Sequence, residues 1–445
     1  MKAGDNALSA TMAHGTSARD TPPAPAKSRV GDVIRVAGGN LLEMYDFMVF
    51  GYYAEAIGRT FFPSSSPSAA LLQALATFGA GFLMRPAGAL VLGVYTDRHG
   101  RRAGLLLTLA LMSLGIILLA VTPSYVSIGL AAPFLVVLGR LVQGFSAGAE
   151  LGNVSVYLAE IARPGRKGFY VAWQSASQQV AVVLAAAIGF VLASMLSPAQ
   201  MEAWGWRVPL AIGCLIVPVL LLLRRNLGES EEFEARTTRP TLNQIMQGLW
   251  VARGRVAVAM GMVLMTTVSF YTITAYTPTF GKLLHLPTED NLTITALVGV
   301  SNFLWLPLMG ALSDRIGRMP ILLACTLAMV VCAYPLMAWL AASPSFAKLL
   351  LVELILSFFY ASYNAAMVVY LTEFVPPAVR AAGFSLAYSL ATAVGGFTPF
   401  IVTWLIGVTG NHAIPGAWLA FNALLSLAAA LIATRISSSD LDKPE

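Results

Sequence analysis

Five charged residues of the N-terminal half sit in strongly apolar sequence, where a charge needs a reason: Glu43, Asp46, Arg85, Arg140 and Glu150; in the C-terminal half only Glu353 lies clearly within such a stretch. At the centre of a membrane span each would cost about 2.5–3.5 kcal/mol on insertion scales. Two kinds of chemistry justify that cost. Arginine keeps its charge and presents a planar fork that matches a carboxylate, which makes Arg85 and Arg140 candidate ligands for one. A carboxyl group in such a place can exchange a proton, since burial and a nearby arginine push its proton affinity in opposite directions. Glu43, Asp46 and Glu150 are therefore the candidate proton-coupling residues. The alternative is purely architectural: Arg85 pairs permanently with Glu43 or Asp46, Arg140 with Glu150, and the pairs hold helices together. The residue types alone leave both readings open.

These side chains need long apolar helices to carry them, and the chain supplies little else. Hydrophobic residues make up 57% of the 445, charged residues 11%, and the mean hydropathy is +0.72. A membrane-crossing helix needs about 20 apolar residues, and twelve stretches qualify, from 34–61 to 415–435. Asn40 and Glu43 share a face of the first. Gln174 and Gln178 lie four apart on the fifth, and Asn302 is on the eighth. Asn364 is on the tenth, Tyr271 and Tyr276 on the seventh, and Tyr388 on the eleventh. Asn40, Gln174, Gln178, Asn302, Asn364 and Tyr388 are candidate binding residues, because amides and hydroxyls can bind a carboxylate. Taken singly, each more often makes an interhelical hydrogen bond. Gly144, Gly148 and Gly152, spaced by four, read as a close helix contact and not as a phosphate loop.

The twelve stretches form two related sets of six. GVYTDRHGRR (Gly93 to Arg102) recurs as GALSDRIGRM (Gly310 to Met319), and YLAEIARPGRKG (Tyr157 to Gly168) as YLTEFVPPAVRAAG (Tyr370 to Gly383). Matching elements at a near-constant offset mark an internal duplication. Asp97, Arg98, Arg101, Asp314 and Arg315 on the charged loops, with Glu160 and Glu373 at neighbouring helix ends, are the expected gating residues. They would pair in one state and separate as the halves rock. If the loops served topology alone, the arginines would suffice and the aspartates would have no purpose.

Most of the 28 Lys and Arg fall in the termini and the even-numbered connections; Arg59, Arg207, Lys282 and Lys348 lie on the opposite side. By the positive-inside rule both termini are expected in the cytoplasm. The expected organisation is a disordered tail at 1–30, a six-helix bundle at 31–225, a cytoplasmic linker at 226–252, a second bundle at 253–436 and a short tail at 437–445. Residues 1–30 lack the apolar core of a signal peptide. Basic residues scattered over short loops argue against nucleic-acid binding. The scattered His14, His99, His285 and His412, with Cys214, Cys325 and Cys332, make no metal or catalytic motif. No phosphate-binding loop implies ATP-driven transport, and no cofactor, metal or obligate protein partner is expected.

The charged loop resembles the signature of the major facilitator superfamily. Further segments narrow the likeness: GNLLEMYDFMVFGYYA (Gly39 to Ala54), FLMRPAGALVLG (Phe82 to Gly93) and GRLVQGFSAGAELG (Gly139 to Gly152) resemble the metabolite:proton symporters. WQSASQQVA (Trp173 to Ala181) and GFSLAYSLATAVGGFTP (Gly383 to Pro399) are similar to its citrate and tricarballylate members. The resemblance implies an all-α membrane protein of twelve helices in two pseudo-symmetric bundles, in a bacterial inner membrane. It also implies proton-coupled uptake of a tricarboxylate by alternating access, with Arg85 and Arg140 as leading ligands for a substrate close to a trianion. One departure is Arg318-Met319, where a fuller copy of the loop would carry a second arginine, so the second loop is expected to be less essential than the first.

A receptor would more naturally carry a signalling domain, and an enzyme would need a nucleophile, metal cluster or cofactor motif; neither fits. Within transport, the competing reading is another organic acid or a zwitterionic osmolyte, because elements of the FLMRP and GR type are shared by relatives with other substrates.

Overall fold

The computed structural model describes residues 40–64, 66–99, 101–148, 150–225 and 242–441. The expected tail at 1–30, most of the linker and the last four residues lie outside them. Every regular element among the described residues is helical. The first span comprises Asn40–Tyr52 and Ala54–Phe61, the second Pro67–Leu83 and Arg85–His99, and the third Arg101–Val121. The fourth comprises Ala131–Ala147 and Glu150–Glu160, the fifth is Lys167–Met195 and the sixth Arg207–Arg225. After the short helix Leu242–Val251 come the seventh (Arg253–Phe270, Tyr271–Ala275 and Thr277–Leu283), the eighth (Thr288–Ile316) and the ninth (Arg318–Ala342). Phe346–Phe374 is the tenth, Arg380–Gly396 with Thr398–Thr409 the eleventh, and Ile414–Leu441 the twelfth.

Eight of these helices are by themselves long and apolar enough to cross a membrane. The polarity pattern is inverted relative to a water-soluble protein. Leu215, Leu308 and Val331 face outward, more than half exposed, while arginines and carboxylates are enclosed. Contiguous outward apolar surface of this kind suits a hydrocarbon solvent.

Several spans are interrupted along their length, and the breaks have local causes. In the second, Ser66 caps the start by accepting a hydrogen bond from the Ala69 amide. The helix then falters at Met84 because Pro86 lacks an N–H and crowds the residue before it. Arg85 sits at that step. The seventh carries a π-helical turn at Tyr271–Ala275, a geometry that inserts an extra residue and concentrates at functional sites.

Glycines set how closely these spans approach. A β-carbon on Gly144 would lie 1.6 Å from the carbonyl oxygen of Gly81, and one on Gly88 1.8 Å from that of Phe145. One on Gly148 would lie 2.1 Å from the carbonyl of Arg85. The second and fourth spans thus cross backbone to backbone, which brings Arg85 and Arg140 together in the interior. Gly152 performs the same service between the halves: its β-carbon would fall 1.9 Å from Ser385 Oγ on the eleventh span.

Candidate functional site

The first, second and fourth spans converge on two buried ion pairs. Arg85 Nη2 donates to Glu43 Oε1 at 2.6 Å, and Arg140 Nη1 donates to Asp46 Oδ2 at 3.0 Å. All four side chains are almost completely enclosed. Glu43 and Asp46 are three apart on one helix and so face the same way. Arg140 Nη1 also donates to Gln143 Oε1, one turn along its own helix, at 2.7 Å.

The carboxylate that reaches Arg140 is that of Asp46 on the first span. The side chain of Glu150, like that of Asn40, lies outside the described residues.

Four phenylalanines wrap the guanidinium groups. Arg140 Cζ stands 4.5 Å from the ring centre of Phe47 and 4.4 Å from that of Phe50; Arg85 Cζ stands 4.9 Å from that of Phe82. Cation–π attraction strengthens as such a site dries. Tyr271, on the π-helical turn of the other half, closes the cluster with its ring 5.0 Å from Phe82 and 5.8 Å from Phe78. Tyr271 and Tyr388 both lie within electrostatic reach of Arg85 and Glu43.

Several hydrogen-bonding groups here have no partner among the described residues. Arg85 Nε, Arg140 Nε and Arg140 Nη2 are buried and unmatched, as are Gln174 Nε2 and both amide atoms of Asn364. Native interiors satisfy nearly all such groups, so a cluster of exceptions calls for an explanation. Unmatched donors on buried cations are what an incoming anion would use. Gln178 is buried on the same helix as Gln174. Asn302 is differently occupied: its amide donates to Gln179 Oε1 at 3.4 Å and accepts from Ser357 Oγ at 2.9 Å. It links the fifth, eighth and tenth spans.

At one end of the molecule the second charged loop joins the halves. The carboxylate of Asp314 accepts hydrogen bonds from the amides of Gly168 (2.8 Å) and Phe169 (3.0 Å), at the start of the fifth span. A carboxylate is favoured there by unsatisfied amides and by the helix dipole. Gly168 and Gly310 stack back to back beneath it. Arg318 bridges Asp314 (2.8 Å) and Glu373 (3.4 Å). Arg315 and Glu160 are exposed; the side chains of Asp97, Arg98 and Arg101 lie outside the described residues. At the other end Lys282 pairs with Glu55 at 3.2 Å, again between the halves.

A model described as "Major Facilitator Superfamily" matches residues 36–338 and 292–444, together nearly the whole chain. The chain belongs to the Major Facilitator Superfamily. Among curated superfamily members, a citrate-proton symporter of Klebsiella pneumoniae is 56% identical over 405 residues, covering 90% of this chain and 91% of that protein. A citrate-proton symporter of Salmonella typhi is 52% identical, covering 94% and 98%. The solved structure of the Escherichia coli xylose transporter XylE, partially occluded and inward open, superposes with a TM-score of 0.71 at 20% identity, covering 93% and 99% of the two chains. That likeness bears on the fold, which is the twelve-helix superfamily architecture expected from the repeats.

Gln143, Gln179, Phe78 and Phe82 are site residues that the sequence reading did not single out. Gln143 was within reach, since three residues from Arg140 puts it on the same helical face. The aromatic residues carry no comparable signal among so many apolar neighbours.

Proposed function

We propose that this chain is a proton-coupled symporter of the bacterial inner membrane that takes up citrate, or the closely related tricarballylate, by alternating access. The single observation that carries the reading is the pair of buried arginines, each tied to a carboxylate yet retaining unmatched donors. The relatives named for citrate-proton symport support the choice of cargo. Citrate's carboxylates compete with Glu43 and Asp46 for the guanidinium forks. A carboxylate that loses its arginine in a dry site must take a proton, so substrate and proton binding favour each other. Gln174, Gln178, Asn364 and Tyr388 supply neutral donors around the anion, and Asn302 ties the two bundles, 31–225 and 253–436, near their pivot. Both termini are placed in the cytoplasm, with the linker 226–252 between the bundles on that side.

Coupling is tested by neutralising one carboxyl group at a time. Glu43→Gln or Asp46→Asn should leave exchange of labelled citrate across proteoliposome membranes largely intact. Accumulation driven by a pH gradient should fall severalfold or more. Normal accumulation in both variants would exclude either residue as the coupling site.

In this reading the Asp314 contact with the fifth span is a cytoplasmic latch. Asp314→Asn removes the charge that the amides and Arg318 share, a loss of about 1–2 kcal/mol, or five- to thirtyfold in a conformational equilibrium. A cysteine at Ser385, in a background without native cysteines, should then react correspondingly faster with an impermeant maleimide applied from the cytoplasmic side. Unchanged reactivity would remove Asp314 from the latch.

A further inference from the structure

We propose that Glu353 is a second proton-carrying residue, in the C-terminal half and distinct from the arginine-paired carboxylates; the idea rests on the proton-coupled transport proposed above. Glu353 lies on the tenth span and is 1% exposed. Its carboxylate accepts one hydrogen bond, from Thr277 Oγ1 to Oε1 at 3.1 Å, while Oε2 has no partner. Among the described residues no lysine or arginine forms an ion pair with it. This is the reverse of Glu43 and Asp46, which are held beside cations. A carboxyl group enclosed without a cation keeps its proton, because desolvating the anion costs far more than the neutral acid. It would release the proton only when water reaches it.

The ionisable groups on neighbouring elements leave this picture unchanged. On its own helix Lys348 turns to Ser343, and Tyr360 lies two turns inward. On the seventh span Lys282 is engaged by Glu55, and the hydroxyl of Tyr276 accepts a hydrogen bond from Thr403. Glu289 and Asp290 stand at the start of the eighth span, and Cys332 and Tyr334 on the ninth. None of these bonds to Glu353.

Its one partner among the described residues ties it to the π-helical turn beside the arginines. Thr277 follows the π-helical turn whose first residue, Tyr271, packs on Phe82 beside Arg85. The Thr277 hydroxyl is shared between Glu353 and the carbonyl oxygen of Thr272 (3.4 Å) within that turn. Rearrangement of the turn as substrate binds would therefore alter both the hydrogen bond to Glu353 and its access to water. Inward from Glu353, Ser357, Tyr360 and Asn364 follow at successive turns on one buried face of the tenth span. They form a polar stripe leading towards the middle of the molecule.

A structural clasp between the seventh and tenth spans makes a different prediction, because glutamine can accept the same bond from Thr277. In proteoliposomes Glu353→Gln should exchange citrate within about twofold of wild type. Its attainable accumulation ratio should fall about tenfold for each unit of imposed pH gradient, the contribution of one co-transported proton, and Glu353→Asp should recover most of it. An unchanged ratio in the glutamine variant would overturn the proposal. Infrared spectroscopy without citrate gives a separate readout. A protonated-carboxyl band should be present in wild type and missing from Glu353→Gln; identical spectra would also overturn it. Wild-type protein that moved citrate without protons would instead sink the transport reading, and the infrared comparison would still decide whether Glu353 carries a proton. Should the glutamine variant not reach the membrane, Thr277→Val replaces it. Losing the donor that favours the anion should move the pH profile of uptake to more alkaline values, and an unmoved profile counts against the proposal.

Discussion

Replacing Arg140 by glutamine should abolish citrate uptake, by a factor of about a hundred or more. Asp46 would be left as a buried anion without its cation, a defect that costs about 3–5 kcal/mol. Part of the loss could thus reflect poor folding, so the informative variant is the double substitution Arg140→Gln with Asp46→Asn. It removes both charges, keeps comparable volume and leaves Gln143 and the aromatic walls of Phe47 and Phe50 in place. The double variant should reach the membrane in normal amounts and still fail to bind labelled citrate. Lysine at the same position should recover little, because a compact ammonium cannot reproduce the planar fork over two aromatic faces. Arg85→Gln, with Glu43→Gln as its compensating partner, should behave in the same way. Wild-type citrate affinity in either double variant would show that the ion pair is architectural.

What could be read from sequence follows the range of the signal. Twelve spans come from long runs of apolar residues, and the two halves from repeated loops that keep their spelling. Arg85, Arg140, Glu43 and Asp46 stood out because a charge in apolar sequence is conspicuous whatever the fold, and the structure buries all four as ion pairs. Which carboxylate meets which arginine was not, since that depends on the rotation and approach of three helices. Gly144 and Gly148 were visible as small residues, but Gly81, which meets Gly144, and Gly88, which meets Phe145, make sense only once the helices cross. The π-helical turn at Tyr271 leaves hydropathy untouched, so nothing in the pattern joins Thr277 to Glu353. Asp314 could be singled out as a charge on a loop. Its acceptor role at the start of the fifth span requires the other half of the molecule to be in place.

Citrate should accumulate in sodium-free liposomes when the exterior is made acidic, and a protonophore should collapse the gradient. The energetics demand a driving ion. Moving one negative charge into a compartment held negative inside costs about 2.3 kcal/mol per 100 mV. A bare trianion would face about 7 kcal/mol per 100 mV before any concentration ratio was built. Three accompanying protons cancel that cost, and fewer leave the membrane potential opposing uptake. Some of these protons arrive on citrate itself, and the rest need titratable positions on the protein. In the proposed mechanism Glu43 and Asp46 offer two positions, each freed for a proton when citrate takes its arginine. In the same proposal Glu353, whose one hydrogen-bond partner among the described residues is a threonine hydroxyl, offers another. The same vesicles also decide the cargo. Unlabelled citrate, tricarballylate and cis-aconitate should compete with labelled citrate well ahead of dicarboxylates or a zwitterion, since two buried arginines favour a ligand carrying several carboxylates. Uptake that ignored the pH gradient but required sodium would sink the proton mechanism. Equal competition by a zwitterionic osmolyte would move the arginines from substrate binding to architecture.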